Sequence, residues 1–78
     1  MNLEKYNAVF KKTFGISEKD LTGSLEYQST KDWDSVGHMS LIFALEEAFD
    51  IMIDTEDIID FSSYEKGKEI MKKYEIEM

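Results

Sequence analysis

Between Ser35 and Asp50 large apolar residues recur at helical spacing, in a chain with no proline at all and no glycine between residues 38 and 66. At roughly 100° per residue, Leu41, Ile42, Leu45, Ala48 and Phe49 gather on one side of such a helix, its natural core face. Val36, Met39 and Phe43 gather on the opposite side, with Ser40 and Glu47 among them and Glu46 at the margin. A helix packed once into a small domain should show water on that second side. Three large apolar groups there require either a second packed layer or a docking stripe. A chain of 78 residues has few elements to supply a second layer, so the stripe is the preferred reading. The alternative makes Val36, Met39 and Phe43 core residues under a long loop.

The remaining segments predict further helices. From Leu3 to Phe14, Leu3, Tyr6, Val9 or Phe10, and Phe14 recur with Lys5, Lys11 and Lys12 between them, an amphipathic pattern with Asn2 as the expected N-cap and Gly15 as the stop. Periodicity is lost from Gly15 to Asp34, where Ser17, Thr22, Gly23, Ser24, Ser29 and Thr30 punctuate a long loop. Its apolar residues Ile16, Leu21, Leu25 and Tyr27 are expected to clip it onto the core, with one short helical turn near Ser17–Leu21. A short third helix is expected over Thr55–Asp60, and a fourth from about Ser63 to Tyr74. Ser62 and Glu65 stand at capping-box spacing at the start of the fourth. The expected fold is a single all-α domain spanning residues 1–78. It is a small four-helix bundle of three longer helices and a short third one, with a long loop between helices one and two.

Composition narrows the function. With no cysteine, neither a disulfide nor a thiolate metal site can staple the chain. Packing alone must hold a domain that buries only about 60% of its unfolded surface. The same absence removes cysteine catalysis, and a single histidine removes histidine clusters. A net charge of −8 disfavours nucleic acid and anionic membranes, both polyanions, and favours a monomer through self-repulsion. The longest apolar run, Leu41–Leu45, is far too short to span a bilayer. No basic-then-apolar segment opens the chain, so a cytoplasmic location is expected.

The charge is also lopsided. Residues 40–78 hold 11 acids against 4 lysines, whereas residues 1–39 hold 6 against 5. Glu46, Glu47, Asp50, Asp54, Glu56, Asp57 and Asp60 run without an intervening base. An apolar centre with a charged rim is the anatomy of a transient interface that steers a basic partner. The expected partner surface is therefore Val36, Met39 and Phe43 with Glu46, Glu47, Asp54, Glu56 and Asp57. The acids do not follow the alternating order or glycine turn of a calcium-binding loop, so no metal is expected.

Trp33-Asp34-Ser35-Val36-Gly37 meets the start of this helix. An Asp or Ser before an apolar-periodic run is ordinarily an N-cap. In order, however, the chain shows a long polar loop, Asp34-Ser35, a helix with a spare apolar stripe, and an acidic run. That order resembles the acyl carrier protein family. The likeness runs through Asp34-Ser35-Val36-Gly37-His38-Met39 and on through Leu41-Ile42-Phe43-Ala44-Leu45-Glu46-Glu47-Ala48-Phe49-Asp50-Ile51. The pattern of four helices covers nearly the whole chain. The resemblance implies that Ser35 carries 4′-phosphopantetheine, taken from coenzyme A by a phosphopantetheinyl transferase that reads Asp34. It implies that Val36, Met39, Phe43, Glu46 and Glu47 meet partner enzymes with basic docking patches, and that the carrier itself catalyses nothing. The expected function is to tether acyl intermediates as thioesters and deliver them to acyl-loading and acyl-using enzymes of fatty-acid or specialised biosynthesis.

The pattern also departs from that of fatty-acid carriers, in which Asp-Ser-Leu is followed by an acidic residue. Here Val36 is followed by Gly37 and His38, and Gly37 resembles D-alanyl and other specialised carriers. An aminoacyl cargo therefore stands beside a fatty acyl one. From another class, an unmodified acidic helical adaptor with a basic partner would show the same stripe and charge. Gly37 costs a helix about 1 kcal/mol relative to Ala, and close approach of a partner or the arm would explain it. His38 reads as an inert surface residue, the sharper options being contact with the arm's phosphate or charge-based partner selection. Trp33 reads as a cover over the end of the bundle. Ser35→Ala is expected to abolish carrier function at the cost of at most a cap, about 0.5–2 kcal/mol.

Overall fold

A computed structural model describes residues 2–78. The chain is all-α among them, with α1 over Asn2–Phe14, α2 over Ser35–Phe49, α3 over Thr55–Asp60 and α4 over Tyr64–Lys72. The segment between α1 and α2 holds a 3-10 turn at Glu18–Asp20, closed where the Asp20 carboxylate accepts the Ser17 N–H at 3.1 Å. Its later part is pinned to the approach to α4. Glu26 and Ser63 form an isolated antiparallel bridge. Around it the Tyr27 N–H donates to the Ser62 carbonyl and the Tyr64 N–H to the Leu25 carbonyl, both at 2.8 Å.

Helix ends follow local backbone chemistry. Gly15 ends α1 in the left-handed region at φ 62°, and the Ile16 N–H reaches back to the Lys11 carbonyl at 3.2 Å, the bond of a Schellman close. Asp50 ends α2 the same way at φ 54°, with the Ile51 N–H on the Glu46 carbonyl. Two expected caps are corrected. Asn2 is already helical, and its side-chain amide donates to the Glu77 carbonyl across the ends of the chain. Ser63, not Ser62, caps α4 by accepting the Lys66 N–H at 2.9 Å. The helix then closes at Lys72 rather than Tyr74.

An aromatic cluster forms the core. On α1, Tyr6, Phe10 and Phe14 lie four residues apart and are buried, so they share one face. Phe10 sits centrally, with ring centroids 4.9 Å from Tyr6, 5.3 Å from Tyr64 and 5.6 Å from Trp33. Trp33 also stacks on Phe14 at 5.1 Å and is fully buried. The expected cover over the bundle end is thus a core residue that draws the end of the long connection inward. Opposite, α2 contributes buried Leu41, Ile42 and Leu45 and lies against α1. Phe49 is only partly buried, and the Lys5 ammonium lies 5.2 Å from its ring centroid.

Two glycines allow close packing. A Cβ on Gly67 of α4 would collide with the Tyr6 hydroxyl and the Phe61 ring. A Cβ on Gly37 of α2 would collide with the backbone carbonyl of Asp32. The close approach inferred at Gly37 is therefore made by the chain's own loop, one residue before Trp33.

Candidate functional site

Asp34 has extended backbone and caps α2, its carboxylate accepting the Gly37 N–H at 2.8 Å. Ser35 is thereby the first helical residue, exposed at the surface. The Ser35 hydroxyl lies 3.1 Å from that of Tyr27, a residue the sequence pattern assigned only to clipping the loop. Eight positions and a turn separate the two, so no local spacing signals the pairing.

Ser35 opens onto a cleft of about 370 Å³ bounded by Tyr27, His38 and Met39 on one hand and by Ile58, Ile59 and Ser62 on the other. The apolar stripe continues outward from it. Val36 is 77% exposed, Met39 38% and Phe43 59%, and Ile59 of α3 adds a further 74% exposed side chain. Val36, Met39 and Phe43 are thus surface residues, and the loop does not cover them. Unpaired apolar groups of this size beside a cleft are the usual mark of a docking surface.

His38 is half-buried and not a free surface group. Its Nδ1 lies 2.9 Å from Trp33 Nε1 and its Nε2 2.8 Å from the Ile58 carbonyl oxygen. An indole nitrogen only donates. Nδ1 is therefore the acceptor, and Nε2 carries the proton given to Ile58. That carbonyl lies in the last turn of α3, where intrahelical partners run out. His38 thus ties the core tryptophan and α2 to α3, holding one wall of the cleft.

The acidic residues separate into two groups. Glu47, Asp54 and Glu56 are exposed. Glu46 is half-buried, and its carboxylate accepts the Ile53 N–H at 2.9 Å, closing the turn after α2. Asp57 corrects the expectation outright. It is 4% exposed, with Lys73 Nζ at 2.6 Å on one oxygen and the Tyr74 hydroxyl at 2.6 Å on the other. A run of acids with no base among its neighbours in sequence finds a lysine 16 residues away, and Asp57 is turned inward to join α3 to the end of α4.

The hydrogen bonds from Lys73 and Tyr74 hold the Asp57 carboxyl below its ordinary value. Hydrogen bonding to Asp57 raises Lys73, and burial raises Tyr74. A carboxyl depressed on folding stabilises the fold above its unfolded pKa and ceases to do so as pH falls through the folded value. The parent should accordingly be more stable than Asp57→Asn at pH 7. Its advantage should shrink as pH drops below the unfolded value of 3.8 and vanish below the folded one. The raised lysine works in the opposite sense, so the link is also lost as pH climbs through its folded value above 10.5. Urea midpoints of both proteins across pH 2–7 (about 2 to 7, spanning the carboxyl range) check the acid limb, and a constant difference would refute it.

Against family models, curated proteins and solved structures, the chain matches none. Among the described residues, no three acidic or histidine side chains converge in a way that could hold a metal ion, and no helix is long and apolar enough to cross a membrane. The arrangement offers an exposed primary hydroxyl at the mouth of a largely apolar cleft, with exposed apolar side chains at Met39 and Ile59 beside it.

Proposed function

We propose that this chain is a carrier protein of the acyl carrier type, modified at Ser35 with 4′-phosphopantetheine. The observation that carries the reading is the exposed Ser35 hydroxyl at the mouth of the cleft between α2 and α3. A serine that only capped α2 would occupy the cap position, and Asp34 already does. The residues present suit the group: a reachable hydroxyl for attachment, and an apolar trough in Met39, Ile58 and Ile59 beside it. When bound, the arm supplies a terminal thiol that holds an acyl or aminoacyl group as a thioester.

Attachment forms a bond between Ser35 Oγ and the phosphorus of the pantetheine phosphate. It breaks the pyrophosphate P–O bond of coenzyme A and releases adenosine 3′,5′-bisphosphate, the serine proton passing to a base of the transferase. Asp34 serves transferase recognition. Val36, Met39 and Phe43, with Glu47, Asp54 and Glu56 at the rim, dock enzymes that load and use the cargo, whose basic patches the −8 charge attracts over a distance. The chain contributes attachment, tethering and docking as a cytoplasmic monomer, and its partners contribute the catalysis.

The test is incubation with coenzyme A and a broad-specificity phosphopantetheinyl transferase, read by intact mass beside a Ser35→Ala control. The parent should gain one phosphopantetheine and the control none. Because Asp34 keeps the cap, Ser35→Ala should change stability by no more than about 0.5 kcal/mol, less than the loss of a cap. No gain on the folded parent with several transferases would turn the reading to an unmodified acidic adaptor, for which the stripe alone matters.

A further inference from the structure

Tyr27 is held on the cleft wall from three directions. Its N–H donates to the Ser62 carbonyl at 2.8 Å, and its ring meets His38 edge-on at 5.6 Å. Its hydroxyl reaches Ser35 Oγ at 3.1 Å. His38 is in turn locked by Trp33 and Ile58, so the phenol stands on rigid support rather than on a free surface rotamer. Clipping the loop to the core would need only a buried apolar side chain, a part Leu25 already plays at 6% exposure. Tyr27 instead stays 36% exposed and directs its one polar atom at the hydroxyl proposed for modification.

A phenol donates as well as accepts. While Ser35 is free, either hydroxyl can supply the proton between them. Once Ser35 Oγ is esterified it has no proton to give, and the negative charge resides on phosphate oxygens bonded to the same phosphorus. Asp34, next in the chain, is acceptor-only and already engaged by the Gly37 N–H. Tyr27, whose hydroxyl already lies 3.1 Å from Ser35 Oγ, is in place to donate, and a hydrogen bond to a charged oxygen is about twice as strong as the neutral one it replaces.

Resting on the carrier reading, we infer that Tyr27 is a positioning residue for the arm. Its hydroxyl passes from Ser35 Oγ to the phosphodiester after transfer and sets the arm's first segment against the cleft.

The test compares the parent with Tyr27→Phe, which keeps the ring and the bond to Ser62. Both are treated with coenzyme A and transferase, checked by intact mass, and followed by amide hydrogen exchange before and after modification. The reporting amides are Tyr27, Gln28, Ser29 and Trp33, all hydrogen-bonded within or from this loop. Both proteins should be modified. Modification should slow exchange at these amides about fivefold in the parent and leave Tyr27→Phe unchanged. Equal or faster exchange in the modified parent, or the same slowing in both proteins, would overturn the role of Tyr27 while the mass gain upholds the carrier. Absence of any mass gain would remove the carrier reading and this inference together. Should Tyr27→Phe not fold, Tyr27→Leu, which also lacks the hydroxyl and keeps the backbone bond to Ser62, takes its place in the comparison.

Discussion

Trp33→Ala should destabilise the protein by about 3–5 kcal/mol, the usual cost of removing a large buried aromatic side chain. Trp33 is fully buried, stacked on Phe14 and edge-on to Phe10, and it donates to His38. Its removal would empty the junction of α1, the loop and α2, and leave His38 Nδ1 without its donor. A domain of this size holds only about 4–12 kcal/mol in total. The melting temperature should therefore fall by at least roughly 12 °C. Trp33→Phe keeps a ring but loses the indole N–H and some buried volume, so it should cost at least about 1 kcal/mol, the net worth of the bond to His38. Because His38 also holds α3, loosening should extend to the cleft, with faster exchange at the Ile58 amide. A Trp33→Ala protein as stable as the parent would show that the indole merely covers the surface.

Gly37→Ala separates local from tertiary physics by its sign. Helix propensity alone predicts a gain of about 1 kcal/mol from replacing a glycine inside a helix. The fold predicts a loss. A Cβ at residue 37 would overlap the Asp32 carbonyl oxygen and crowd Phe14 Cε1 at 3.3 Å. Neither neighbour yields easily, since Asp32 is followed by buried Trp33 and Phe14 lies beneath it. Overpacking of this kind costs about 1–3 kcal/mol, and moving the loop would also disturb the Asp34 cap and the seat of Tyr27 beside Ser35. Urea denaturation should show a lower midpoint for Gly37→Ala and, on the carrier proposal, slower phosphopantetheine loading. A higher midpoint would mean that the loop does not approach α2 as described.

Much of this arrangement was legible because it is local. Tyr6, Phe10 and Phe14 recur every four residues, so the face of α1 follows from spacing, as does the division of α2 into Leu41, Ile42 and Leu45 on one side and Val36, Met39 and Phe43 on the other. Gly15 marked the end of α1 because few other residues accept a left-handed backbone. Where two residues could serve equally by local rules, spacing chose wrongly. Ser62 has the capping-box partner, yet Ser63 caps α4, since the bridge to Glu26 sets where the backbone turns.

The set of helices, the apolar stripe on α2, the acidic excess and the Asp34-Ser35 junction can be read from the order of residues, because all are properties of neighbours within a turn or two. That Trp33 is core, that His38 bridges it to α3, that Asp57 turns inward to Lys73 and that Tyr27 meets Ser35 emerges from the folded arrangement alone. The reason is one of range. Helical periodicity records which residues share a face, whereas Trp33 and Tyr27 are placed by folding the long connection back, and His38 and Asp57 find partners 20 and 16 residues away. Closure spends chain entropy that distant contacts must offset, and no spacing rule records which of them do so.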